Sequence, residues 1–352
     1  MSINRELWEV VRDVLAAHPA DVDKGWPAEL WSTLTELGLV RLGLPEQAGG
    51  SGGQLADVAT VLLAAGEAAA PVPLAETELS AWLLHTAGAP VPAGPLAVAA
   101  ATAEQVALRV TPRGMVATGA VPRIGWGRYA SLAVLLLADQ DDVEHVLTVQ
   151  IDPSALRHGG NVAGEPRDEL VLDAAVDTVT VPAGTGELLA RRAALFRALL
   201  LAGAAGRALA LSVRYAGERV QFGRPIGRFQ AVQQQMALAA AEVAAGRAAA
   251  EAAVRIAART EFAGGDAEFA IACAKARTSE AAGTVARIAH QVLGAIGFTL
   301  EHELRLATTR LWAWREEDGS EAYWNAVIGR RVLAKGSENL WPLMTGNPIP
   351  PR

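Results

Sequence analysis

Three stretches of the chain gather residue types that could do chemistry. The first, Arg214 to Met236, reads RYAGERVQFGRPIGRFQAVQQQM. Arg219, Arg224 and Arg228 stand there among Gln221, Phe222, Phe229 and Gln230. Guanidinium forks beside apolar rings suit a planar ligand that carries phosphate. The same residues also suit a capped helical corner with solvated arginines. The second stretch, His290 to Glu303, reads HQVLGAIGFTLEHE, where Gly294 and Gly297 allow a helix stop and close backbone approach. In the third, WREEDGSEAYW, the carboxylates of Glu316, Glu317 and Asp318 directly precede Gly319 and Ser320. Crowded carboxylates repel one another and can supply a general base, although such a cluster is more often a solvated turn. Trp312, Trp314, Tyr323 and Trp324 make an aromatic rim around them that reads either as a pocket lining or as a helical core stripe.

Other chemistry is excluded by what surrounds the candidate residues. Cys273 is the single cysteine and sits in the apolar run AIACAKA, so it reads as an inert thiol and forms no internal disulfide. The 6 histidines show no ligand spacing, and no metal site is expected. Gly49, Gly50, Gly52 and Gly53 lack the order of a phosphate-binding loop. A formal net charge of −7 argues against general nucleic-acid binding. The amphipathic N-terminus does not read as a signal peptide, and no uncharged apolar run approaches the ~20 residues of a membrane span, so a cytoplasmic protein is expected.

The elements that must position these residues fall into three zones. Residues 1–95 read as helices: Leu7, Val10, Val11 and Leu15 recur at helical spacing, Glu29–Leu39 ends at Gly38, and 57–70 and 75–87 follow a Gly/Pro loop. Residues 96–183 break into short β-branched or aliphatic runs punctuated by Gly, Pro and Asp, as expected of an antiparallel β domain. Residues 184–352 are helical again, with four helices predicted at 187–221, 228–260, 266–296 and 302–335 in a four-helix bundle, then an irregular Pro-rich tail. The fold class is α+β, in the order α, β, α.

The run RxQFGxPIxxFQAV that starts at Arg219 closely resembles a motif of the flavin-dependent acyl-CoA dehydrogenases, and ELGLVRLGLPEQAGGSGG resembles their N-terminal helical domain. The resemblance implies that family's three-domain fold and FAD as cofactor. It assigns Arg219, Gln221, Phe222, Phe229 and Gln230 to FAD contacts across a subunit boundary. Gln291, Val292, Leu293, Gly294 and Ala295 match the family's QxxGG segment, whose backbone approaches a neighbouring FAD; Ala295 replaces its second glycine. The middle-domain flavin motifs (Thr-Glu-Pro with Gly-Ser-Asp, and Trp-Ile-Thr-Asn) are absent. Pro122 to Trp126 lies where the second would fall, and Trp126 reads as either a flavin-stacking or a packing residue.

Counting from Glu301 without gaps brings Asp318-Gly319-Ser320 onto the family's catalytic Glu-Gly-Thr, with Ser320 at the flavin-contacting threonine. The implied reaction is α,β-dehydrogenation of an acyl-CoA thioester: a carboxylate removes the α-proton and the β-hydrogen leaves as hydride to the flavin. Asp318 is the first reading for the base, Glu317 the second if the helix is shifted by one residue, and a chain without a working base the third. Ala193 and Ala194 stand where some relatives carry a base and its arginine partner, so the first bundle helix is expected to supply neither. The family implies a homodimer, a homotetramer, or, for its short members, an α2β2 heterotetramer with a related chain, and an electron-transfer flavoprotein as acceptor. A flavin oxidase or monooxygenase on the same fold, and a non-catalytic subunit completing another chain's FAD site, are the rival readings.

Overall fold

A computed structural model describes residues 4–19, 25–112 and 114–345. The chain divides into two compact units, Ser2–Ala193 and Ala194–Arg352.

The first unit opens with helices. α1 (Arg5–Ala17) starts at Asn4, whose side chain accepts from Leu7 N at 3.2 Å, and buries Val11 and Leu15 while Val10 faces solvent. α2 (Ala28–Glu36) ends, as read, at Gly38, which adopts a φ of 67°. α3 (Leu55–Glu67) and α4 (Leu74–Thr86) are apolar nearly all round and correspondingly buried. The Gly/Pro loop before α3 folds on itself rather than forming an anion cradle: Ser51 Oγ donates to Gly38 O at 2.7 Å, and a Cβ on Gly50 would lie 2.1 Å from Leu44 O.

The loop is tied to α4 by Glu78, which is partly exposed as a residue but accepts from Gly43 N at 2.9 Å. Burial pushes its carboxyl from 4.5 up to about 7, against the opposing pull of the Gly43 amide and the Arg192 charge. Between these two values the folded chain holds a proton that the unfolded chain has released. This group's contribution to stability therefore falls as pH rises through the window. Thermal unfolding should show it: Glu78→Gln removes that part of the decline in Tm between pH about 5 and about 7.5.

The strands are β1 (Leu96–Ala101), β2 (Val106–Thr111), β3 (Gly114–Gly125), β4 (Leu132–Ala138), β5 (Glu144–Gln150), β6 (Leu156–Arg157) and β7 (Arg167–Thr180). They pair in the order β1-β4-β5-β7-β3-β2, with β6 on β7. Two details correct the sequence reading. β1 and β4 pair in parallel, with the β2–β3 hairpin between them in sequence serving as the crossover that a parallel pair requires. The runs LVLDAAV and DTVTVP are one strand, β7: no Gly or Pro interrupts it, and Asp173 and Asp177 merely face solvent. Trp126 is 5 % exposed and packs on Tyr129, which is the packing role.

Among the described residues the helices that follow are α5 (Thr185–Glu218), α6 (Gln230–Thr260), α7 (Gly264–Leu293), α8 (Leu304–Trp314), α9 (Glu321–Lys335) and α10 (Leu340–Thr345). α7 is the central one of the second unit and packs against α6, α8 and α9. Small residues let it approach α6 closely: Ala239, Gly246, Ala250, Ala253 and Ala257 form the buried stripe of α6. The predicted fourth helix, 302–335, is two helices, broken between Trp314 and Glu321. The tail is helical as far as Thr345, and the part beyond it lies outside the described residues. α5 is long and apolar enough by length and composition to cross a membrane, but 78 % of its most apolar window is buried within the fold.

Candidate active site

The break between α8 and α9 is built by the carboxylate cluster itself. The last turn of α8 closes with Glu317 N donating to Trp314 O at 3.2 Å. Asp318 then takes a left-handed φ of 55° and Gly319 one of 91°. Gly319 has no room for a side chain, since a Cβ there would lie 2.4 Å from Trp324 Nε1. That indole donates to Asp318 O at 2.9 Å. Ser320 restarts the helix as N-cap of α9, its hydroxyl accepting from Tyr323 N at 3.3 Å. The turn is therefore held in shape by its neighbours, and Asp318 projects from it at the point where helical hydrogen bonding stops.

Two cations from other helices meet this turn, and sequence reading found neither. Arg197 of α5 donates from Nε to Asp318 Oδ2 at 2.7 Å, and its Nη1 lies 3.5 Å from Glu317 Oε2. This corrects the expectation that α5 supplies no arginine partner. Ala193 and Ala194 carry no polar side chain, but a long side chain on a helix leans towards the N-terminus, so an arginine one turn later covers the same place. The side chain of Arg197 is 8 % exposed, that of Glu317 12 % and that of Asp318 28 %. Asp318 is thus the more accessible carboxylate, and the arginine occupies Oδ2, which leaves Oδ1 as the oxygen that can receive a proton. The second cation, Lys275 of α7, is fully buried and donates to Ser279 Oγ at 3.0 Å, Arg315 O at 3.0 Å and Gly319 O at 2.8 Å. On the outer side of the turn, Arg315 binds Glu316 at 3.2 Å and Glu321 at 2.9 Å, so Glu316 is an element of the surface.

The aromatic residues do not form one rim. Trp314 and Trp324 are each 3 % exposed, and the guanidinium groups of Arg197 and Arg310 both lie 5.8 Å from the Trp314 ring. Trp312, two positions away on the helix, points elsewhere and stacks on His290 at 5.3 Å. Tyr323 is the exposed member beside the turn.

The residues read as cofactor contacts occupy two other places. After α5, β8 (Val220–Gln221) and β9 (Arg224–Pro225) form a hairpin whose two turn residues, Phe222 and Gly223, have φ of 53° and 79°. Phe222 is 92 % exposed, meets Phe229 edge-on at 6.1 Å, and Arg224 lies 4.3 Å above the Phe229 ring. Arg219 and Gln221 are exposed on the same hairpin, and Gln230 begins α6. At the end of α7, Gln291, Gly294 and Ala295 are exposed, while Val292 and Leu293 turn their side chains into the bundle and can offer only backbone. Gly294 closes the helix at a φ of 65°.

An exposed guanidinium, two exposed amides and an uncovered phenyl ring fit a flavin dinucleotide arriving from outside the chain. Ser320 keeps its hydroxyl proton for such a ligand, because its N-cap bond uses only the oxygen lone pair. Cys273 is half-buried and burial raises its thiol, as expected of an inert residue. Among the described residues no cluster of His, Cys, Asp and Glu could hold a metal ion.

Comparison with known proteins places the chain as a whole. The model of the acyl-CoA dehydrogenase N-terminal domain matches residues 2–91, and that of the acyl-CoA dehydrogenase C-terminal domain matches residues 184–333. The chain is 31 % identical to the acyl-CoA dehydrogenase IpdE2 of Mycolicibacterium smegmatis over 320 residues, covering 87 % of this chain and 91 % of the relative. It is 32 % identical to the IpdE2 of Mycobacterium tuberculosis, covering 85 % and 88 %. Among solved structures, the ChsE4-ChsE5 complex of Mycobacterium tuberculosis superposes with a TM-score of 0.85 at 24 % identity, over 96 % of this chain and 98 % of that one. Glutaryl-CoA dehydrogenase of Mycobacterium smegmatis does so with 0.84 at 22 %, over 96 % of each. These two speak for the fold, and the relatives of higher identity speak for descent. The chain belongs to the acyl-CoA dehydrogenase family, whose activity is the FAD-dependent dehydrogenation of acyl-CoA thioesters.

Proposed function

We propose that this chain catalyses α,β-dehydrogenation of an acyl-CoA thioester with FAD as cofactor and Asp318 as general base. The observation that carries the reading is the pairing of Arg197 with Asp318 at 2.7 Å on a turn where helical order stops. Arg197 keeps the carboxylate aimed, and Oδ1 takes the α-proton of the substrate. Glu317, less exposed and farther from the arginine, supports the charge balance of the pair and is not the base. Charge that develops on the thioester oxygen needs donors fixed in advance, and a backbone amide in a rigid turn is suited to that. FAD, when bound, supplies the hydride acceptor. Arg219, Gln221, Phe222, Phe229 and Gln230 on the hairpin, the Gln291–Ala295 segment and Ser320 would hold it.

The hairpin and the end of α7 present their polar groups outwards, which supports their serving a flavin shared with another subunit. The absent middle-domain flavin motifs, together with the ChsE4-ChsE5 complex among the structural neighbours, favour a heteromer with a related chain over a homo-oligomer. An electron-transfer flavoprotein is the acceptor that fits a dehydrogenase. Oxygen uptake without such an acceptor would instead mark an oxidase.

Arg219→Ala should lower flavin retention in the purified oligomer, because a charge-assisted bond to the cofactor is worth about 1.5–3 kcal/mol, roughly ten- to hundredfold in affinity. Equilibrium dialysis with FAD reads this directly. Wild-type affinity in Arg219→Ala would remove the hairpin from the cofactor site.

A further inference from the structure

We propose that the Lys275 ammonium is a positioning residue for the reaction: two of its three N–H groups bind backbone carbonyls of the turn that carries Asp318, and they hold the base in place firmly only while the amine is protonated. This rests on the reading of Asp318 as base. Lys275 lies on α7, fully buried, and its three partners are Ser279 Oγ at 3.0 Å, Arg315 O at 3.0 Å and Gly319 O at 2.8 Å. Two of these are carbonyls of the turn itself, one just before and one just after the carboxylate cluster. An ammonium has three donors and no acceptor, so its capacity matches these partners.

The charges acting on Lys275 are Asp318, Glu316 and Glu317 from the turn and Arg197 from α5. On α9, Glu321 is taken by Arg315. Burial outweighs the carboxylates and brings the amine from 10.5 down to about 8. Above that pH the neutral amine has two donors and a lone pair, and the lone pair must face an oxygen. The lone pair is tolerated only at Ser279 Oγ, whose hydroxyl must then give up Arg315 O (3.4 Å) to donate to the amine, and the two N–H ties that remain on the turn carbonyls are no longer charge-assisted, so Asp318 is held less firmly in the geometry that proton abstraction requires. Stability moves the other way. The folded chain releases this proton near pH 8 while the unfolded chain keeps it to about 10.4, so this group's contribution to stability rises with pH across that window. A loss of turn order above pH 8 is therefore distinguishable from general unfolding.

The test is amide hydrogen exchange of the peptide spanning residues 315–324, corrected for intrinsic rates, between pH about 6.5 and about 9.5. In the wild-type oligomer, protection of the turn should fall about tenfold across pH 8, while that of the α7 core holds. In Lys275→Met, protection should be low at every pH and show no such step. Ser279→Ala removes one acceptor of the ammonium and should move the step to lower pH. A step retained in Lys275→Met, or wild-type protection in it, overturns the proposal. If Lys275→Met does not fold, Ser279→Ala decides, and a step at the wild-type pH overturns the proposal.

The second arm is anaerobic flavin reduction with whichever of butanoyl-, octanoyl- and hexadecanoyl-CoA reduces the wild-type protein. The maximal rate should lose its alkaline fall in Lys275→Met, at a rate about a hundredfold lower, with the half-saturating concentration little changed. Asp318→Asn separates the two claims. An inactive Asp318→Asn beside an unaltered Lys275→Met sinks the inference alone. A fully active Asp318→Asn sinks the base assignment, and the exchange result then stands by itself.

Discussion

Asp318→Ala is expected to slow flavin reduction by acyl-CoA by about 10³-fold while leaving flavin content and oligomer mass unchanged. The size follows from the role: a positioned general base contributes about 10²–10⁴-fold, and Asp318 is the more exposed of the two carboxylates that Arg197 contacts. The flavin should stay because Asp318 is no part of the hairpin or the α7 end. Glu317 does not substitute, since its side chain is less exposed than that of Asp318 and it lies within 3.5 Å of Arg197. Stopped-flow absorbance under anaerobic conditions measures the effect. Asp318→Glu adds one C–C bond, about 1.5 Å of reach. Activity retained or raised in that variant would mean that the site tolerates either length.

The second large effect is at Arg197. Arg197→Met should lower the maximal rate about 10²-fold and destabilise the chain by about 2 kcal/mol. The arginine is 8 % exposed and faces two carboxylates, so its removal leaves Glu317 and Asp318 close together without a cation between them. The stability loss is smaller than for a fully buried pair because solvent reaches Asp318. The rate falls because the carboxylate is no longer aimed, and a displacement of about 1 Å is enough for a loss of that size. Arg197→Lys should recover part of the stability and little of the rate, since it keeps the charge and loses the planar fork. Chemical denaturation and single-turnover kinetics on the same preparations read the two parts separately.

The site was legible where the chemistry is local. The segment Arg219–Gln230 stands out because arginines, glutamines and two aromatic rings lie next to one another, but it reads as a helical corner, and the β8–β9 hairpin corrects that. Asp318, the proposed base, is singled out by counting from Glu301 without a gap. Arg197 was not reachable in that way. It is an arginine in the apolar run LARRAALFRALL, and only the lean of its side chain carries it to Asp318. Lys275 was hidden for a related reason: its stem packs as an apolar chain would, and two of its partners are backbone carbonyls, which leave no trace in sequence.

The fold followed the same rule. Helices with one apolar face were evident, and so was the change to strands near residue 96. The break at 315–320 was overlooked, although Asp-Gly-Ser ahead of a new helix is an N-cap pattern that could have revealed it. The direction of the β1–β4 pairing depends on chain path, which local periodicity does not contain.

The central claim is that this chain oxidises an acyl-CoA at Asp318. The most direct measurement adds butanoyl-, octanoyl- or hexadecanoyl-CoA anaerobically to the flavin-loaded oligomer, wild type and Asp318→Asn side by side, and follows flavin colour and the 2-enoyl-CoA formed. The expected result is loss of colour with one enoyl-CoA per flavin in the wild type, and persistent colour in the variant. Equal bleaching of the two proteins would contradict the account.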